Sequence, residues 1–171
     1  MKINYSNHPS HQISTKDSTS AFTLVELLVV IAVVAALAIV VFVALNPAQR
    51  LKDSRDTRRF SDVDTILTAI HASIVDNKGS LPTGLATSMA ETQLGTGASG
   101  CAIATGGCAV VAAACVDLTT PLTKYLKTIP IDPTTTFTAA KTGYSVIVDA
   151  NNIVTIRACG VEGSTNIFSS R

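Results

Sequence analysis

A chain of 171 residues fits one modest domain plus a segment or two, and a formal net charge of +1 gives no global field to attract nucleic acid or an acidic partner. Hydrophobic residues make up 47%, yet aromatics are only 5% and Trp is absent, which leaves few rings to stack on bases or sugars. No nucleophile motif, Gly-rich phosphate loop or carboxylate pair beside a histidine occurs, so the residues predict neither an enzyme nor a cofactor.

Residues 1–21 are polar, rich in Ser, Thr, His and Asn, and lack apolar periodicity; the segment reads as an unstructured leader absent from the mature protein. His8 and His11 within it read as solvated. From Leu27 to Leu45 the chain is unbroken apolar, and 22–45 is long enough as a helix to cross roughly 30 Å of hydrocarbon. A cleaved secretory signal is the competing reading. Its apolar region is usually about 7 to 15 residues, and Ala35-Ala36-Leu37-Ala38 lies inside this run instead of after it. Ala32 and Ala36 form a small-xxx-small pair that would let another helix approach. Glu26 stands at the edge of the run, where a charge costs on the order of 2.5 to 3.5 kcal/mol, so it is a functional candidate.

Asn46-Pro47 interrupts the helix and restarts it, with Asn46 as N-cap, Pro47 at the first helical position and Gln49 at the capping-box position. Residues 46–76 read as an amphipathic helix. Its stripe is Phe60, Val63, Leu67, Ile70 and Ile74, widened by Leu51 and Ile66, and its wet side pairs Lys52 with Asp56 and Arg58 with Asp62. His71 reads as a boundary residue.

Residues 77–171 form the rest of a head. Asn77 to Pro82 stops the helix, and Thr83 to Gly107, rich in Gly, Ala, Ser and Thr, predicts a long surface loop. Asp117 to Leu126 predicts a short helix. Tyr144 to Val148 and Ile153 to Ile156 around a polar turn predict an antiparallel hairpin, with a third strand from Phe137 to Ala140 or from Asn166 to Ser169. The fold class is therefore α+β: a long N-terminal helix, half transmembrane and half amphipathic, packed on a small antiparallel sheet.

Cys101, Cys108, Cys115 and Cys159 all follow the apolar run, and an even number in an exported domain predicts two disulfides, with three connectivities possible. On one helix Cys108 and Cys115 would lie about 10 Å apart, beyond reach. Gly106-Gly107 can fold Cys101 onto Cys108, leaving Cys115 for Cys159, and this pairing is the expectation. Zinc sites usually need two cysteines two to four residues apart, and none are, so no metal is predicted.

The run Ala21-Phe22-Thr23-Leu24-Val25-Glu26 resembles the processing and assembly signal of type IV prepilins and type II secretion pseudopilins. The resemblance implies leader cleavage between Ala21 and Phe22, N-methylation of Phe22, and an assembly role for Glu26 with Thr23 in the matched motif. It also implies a hinge near Asn46 and Pro47, since family members carry a proline slightly earlier. One departure is Ala21, where family leaders normally end in Gly. The implied partners are other pilin subunits, a prepilin peptidase and N-methyltransferase, inner-membrane assembly machinery and the membrane itself, with no specific nucleic acid. Lys2 and Lys16 precede the span while Arg50, Lys52, Arg55, Arg58 and Arg59 follow it, a count that would place the head in the cytoplasm. The resemblance implies the opposite, with a cytoplasmic leader and an outward head, and is followed here. The expected function is a filament subunit; the alternatives are a minor pseudopilin of a secretion or DNA-uptake machine and a monomeric membrane-anchored binding module.

Overall fold

The computed structural model describes residues 22–163 and 166–171, so the leader through Ala21 lies outside the described residues. The chain divides into two compact units, Met1–Leu45 and Asn46–Arg171. In the first, α1 spans Leu24–Leu45 with no buried residue. Its 22 residues give a helix of about 33 Å, and it is apolar enough to cross a membrane.

The second unit opens on Asn46, whose backbone is left-handed at φ 41° and whose side chain accepts a hydrogen bond from the Gln49 backbone N–H at 3.4 Å. A left-handed residue cannot continue a right-handed helix, and asparagine tolerates that geometry better than most. Pro47 then starts α2, Pro47–Asp76. Gln49 does not complete a capping box, because its amide donates to Asp53 instead, at 2.8 Å. At the far end Gly79 N–H bonds Ile74 C=O at 2.8 Å and Lys78 N–H bonds Val75 C=O, the paired closure of a Schellman motif with Lys78 left-handed.

The sheet is four antiparallel strands in the order β1-β2-β3-β4: Met89–Gln93, Tyr144–Val148, Val154–Ala158 and Phe168–Ser170. A short helix, α3, covers Thr119–Leu122. The register pairs Tyr144 with Ala158 and Val148 with Val154, so Tyr144, Val146, Val148, Val154, Ile156 and Ala158 share one face. Val63, Ile66, Leu67 and Ile70 of α2 join these strand residues in one core, completed by Leu94, Leu118, Leu122 and Ile167. Alternating burial in β3 marks a sheet half-exposed on its other face, whereas in β2 the outward Ser145 is buried too, because the chain around Cys108 lies over it.

The hairpin and the α2 limits agree with the sequence; several other expectations do not. Thr83–Gly107 is no continuous loop, since it contains β1, an edge strand with a register shift between Met89 and Thr92. Its small polar residues carry no alternating signal, and pairing with β2 supplies the order. The third strand arises at Phe168–Ser170, while Thr138 and Lys141 merely close a tight turn. The helix expected over Asp117 to Leu126 shortens to one turn. Phe60 and Leu51 are more than half exposed, so the stripe narrows to Val63, Ile66, Leu67 and Ile70 with Ile74 at its margin.

Candidate functional site

At the start of α1, Thr23 and Glu26 hold each other in a reciprocal capping box. The Thr23 backbone N–H and hydroxyl both donate to Glu26 Oε2 at 2.9 Å, and Glu26 N–H donates to Thr23 Oγ1 at 3.2 Å. Two helix-end donors that hydrocarbon could not satisfy are thereby closed by side chains. One carboxylate oxygen is committed to the cap. No bond occupies the other among the described residues, so the acid has a spare acceptor one helical turn from the Phe22 backbone nitrogen. Phe22 is 84% exposed.

Within the head, the site that sequence reasoning missed is a buried ionic hub. Arg59, read from sequence as one of several cations following the span, is fully buried, as is Asp132. The guanidinium donates through Nε and Nη2 to the two Asp132 oxygens at 2.6 and 2.8 Å, and through Nη1 to Asp56 at 2.6 Å and Glu162 at 3.2 Å. Arg55 grips Glu162 with Nε and Nη2, the latter at 2.6 Å. Asp56, expected to pair with Lys52, instead accepts from Arg59 and from the backbone N–H groups of Glu162 and Gly163. Arg58 and Asp62 do approach, at 3.7 Å. No periodicity could expose these partners, which lie 73 and 103 residues from Arg59.

The electrostatic consequences follow from the contacts. Burial pushes the Asp132 carboxyl up, but hydrogen bonds from Arg59 and Thr134 outweigh it and hold the group below the usual carboxylate range. Hydrogen bonds from Arg55, and then from Arg59, draw Glu162 down to about 2 despite partial desolvation. Burial and a 2.7 Å bond to the Asp62 carboxylate push the Tyr144 phenol far up. The Gly143 backbone beside it sits at φ 82°, and a Cβ there would come within 2.8 Å of Asp132 and 2.9 Å of Phe137, so the hub also fixes a glycine.

The disulfides join Cys101 to Cys115 and Cys108 to Cys159, not Cys101 to Cys108 and Cys115 to Cys159 as expected. Gly106-Gly107 does turn the chain, but it turns Ile103 against Val110 in a small antiparallel bridge. Beyond that bridge the Cys101 N–H donates to the Ala113 carbonyl, two residues short of its partner Cys115, while Cys108 meets Cys159 just past the end of β3. His71 is half-buried with Nε2 lacking a hydrogen-bond partner among the described residues, in keeping with a boundary position.

Residues 17–42 match the family model described as the prokaryotic N-terminal methylation motif, the hallmark of the prepilin-type segment of type IV pilins and pseudopilins. No curated protein and no solved structure matches the chain. The matched window contains the Thr23–Glu26 cap and most of α1, which supports a type IV pilin-like or pseudopilin subunit.

Proposed function

We propose that the chain is a prepilin: a structural subunit of a type IV pilus or related filament, cut between Ala21 and Phe22, N-methylated at Phe22, and assembled through α1. Domain roles follow from this reading, with 1–21 as cytoplasmic leader, 22–45 as membrane span and later filament core, 46–76 as the amphipathic helix and 77–171 as the remainder of an outward head. The observation that carries it is the methylation motif over 17–42 coinciding with a membrane-length helix opened by an acid.

The mechanism rests on electrostatics in hydrocarbon. Cleavage gives Phe22 a positive amine one turn from Glu26, and an isolated charge of either sign is costly there. Thr23 occupies one Glu26 oxygen, leaving the other free for an amine, either its own or that of a neighbouring copy. Neutralising both charges removes the obstacle to packing α1 against other α1 helices, with Asn46 and Pro47 as the place where the chain can bend on assembly.

Mass spectrometry of the mature amino terminus tests the reading directly. N-methylated Phe22 is expected; an intact Met1 would point to a membrane-anchored module that never polymerises. Glu26→Gln separates cap from charge, because Gln serves equally well in a capping box. Loss of filaments with α1 still helical is the expected result, and normal filaments would remove the assembly role from this residue.

A further inference from the structure

Of the five cations that closely follow the apolar run, the head accounts for three. Arg55 is bound to Glu162, Arg59 to Asp132, Asp56 and Glu162, and Arg58 lies 3.7 Å from Asp62. The other two, Arg50 and Lys52, make no ion pair and no side-chain hydrogen bond among the described residues. Lys52 is stranded because Asp56, four residues on, is taken by Arg59 and two backbone N–H groups, while Asp53, close to Arg50, accepts from Gln49. Leu51 between them is 61% exposed and belongs to neither hydrophobic cluster. The fold makes no use of these three consecutive side chains.

Chain connectivity limits how far they can lie from the end of α1 at Leu45. From Pro47 the backbone is helical, rising 1.5 Å per residue, so the Cα atoms of Arg50 and Lys52 are at most about 12 and 15 Å from that of Leu45. A bilayer's polar layer is roughly 5 to 8 Å thick on each side of its hydrocarbon, and long cationic side chains lay their stems along apolar surface while the charge stays in polar surroundings. Both charges can therefore stand among lipid headgroups. Two residues apart on a helix, they project to nearly opposite sides and collar it.

We propose that Arg50 and Lys52, with Leu51 between them, bind anionic phospholipid in the leaflet where α1 ends. Each cation meets a headgroup phosphate, and Leu51 dips toward the acyl boundary, the combination of charge attraction and apolar burial that holds interfacial segments. The inference rests on α1 as a membrane span, one part of the filament reading, and adds to it a lipid class and the residues that recognise it. Leaving the bilayer for a filament then requires the collar to release its lipids.

The test titrates the full chain in detergent with phosphatidylglycerol and, separately, phosphatidylcholine, and counts bound lipid by native mass spectrometry. The unaltered chain should prefer phosphatidylglycerol. Arg50→Gln combined with Lys52→Gln should weaken that binding about thirtyfold, two cations at about 1 kcal/mol each. Arg58→Gln combined with Lys141→Gln removes the same charge elsewhere on the head and should leave the preference intact. Equal binding of the two lipids by the unaltered chain, or an equal loss in this control, overturns the proposal. So does a collar variant that keeps its lipid preference yet no longer forms filaments, which would assign the two cations to a contact between copies. The expected lipid losses in a chain that retains Met1 and never polymerises would support the collar and overturn the filament reading. Recovery of the unaltered chain outside the membrane fraction of cells would overturn the span, and the collar with it.

Discussion

Removing Asp132 tests whether the ionic hub holds the head together. In Asp132→Ala the Arg59 guanidinium, fully buried, loses two of its four carboxylate hydrogen bonds, those at 2.6 and 2.8 Å. Breaking a buried pair from one side costs about 3 to 5 kcal/mol, because the remaining charge has no water to replace its partner. Asp56 and Glu162 still touch Nη1, which argues for the lower end. Against this, Asp132 also accepts from the Thr134 backbone N–H at 2.9 Å and its hydroxyl at 2.6 Å, and that turn is lost too. The net expectation is about 3 to 4 kcal/mol out of a typical 5 to 15, a drop in Tm on the order of 10 °C for a unit of this size. Guanidinium denaturation of the full chain in detergent, followed by near-ultraviolet circular dichroism of the head tyrosines, measures it. The paired replacement Arg59→Met with Asp132→Leu should recover most of the loss, since apolar substitutes for a buried pair are often neutral. A loss under about 1 kcal/mol for Asp132→Ala, or a double variant worse than the single, would refute the reasoning.

Acid should act through the same residues. Asp132 and Glu162 have folded values below their unfolded ones, so their stabilisation is complete above the ordinary carboxylate range and disappears as pH falls through the folded values; for Glu162 that window runs from 4.5 to about 2. Denaturation midpoints should be flat from pH 7 to about 5 and fall below, with the fall shallower in Glu162→Gln. Asn46→Gly keeps the left-handed turn and loses only the cap, whereas Asn46→Ala loses both; thermal melts should show the alanine variant less stable by about 1 kcal/mol. Losing Cys108–Cys159, which spans 51 residues, should cost about 4 kcal/mol against about 3 for Cys101–Cys115, which spans 14, as read from denaturation of the paired Cys→Ser variants. Tyr144 should not ionise in a spectrophotometric titration until the head unfolds, because burial and the Asp62 carboxylate both oppose the phenolate.

What the sequence discloses depends on range. The apolar run, the Asn46-Pro47 restart and the β-branched hairpin are local signals, and α1, α2, β2 and β3 appear where those signals lie. The Thr23–Glu26 cap is likewise local, three residues apart. Arg59 is different: nothing in its neighbours marks it for burial, because its burial depends on Asp132 and Glu162, which arrive from the segments before β2 and after β3. The disulfide pairing is hidden from the sequence for the same reason. Gly106-Gly107 does reverse the chain, but which cysteines the reversal brings together depends on Ile103 meeting Val110, a register that side-chain size does not announce. Phe60 satisfies helical spacing and still faces outward, since the sheet covers a narrower arc of α2 than the apolar stripe would allow.

The interleaved order of the cystines constrains biogenesis. Cys108 sits inside the ring closed by Cys101 and Cys115, while its partner arrives 51 positions later. A chain entering an oxidising space from its amino-terminal side exposes Cys101 and Cys108 before either native mate, so the first bridge available to it is a wrong one. In such a space folding of the head then depends on thiolate attack to reshuffle that bridge, and its yield becomes tied to the local capacity for thiol exchange.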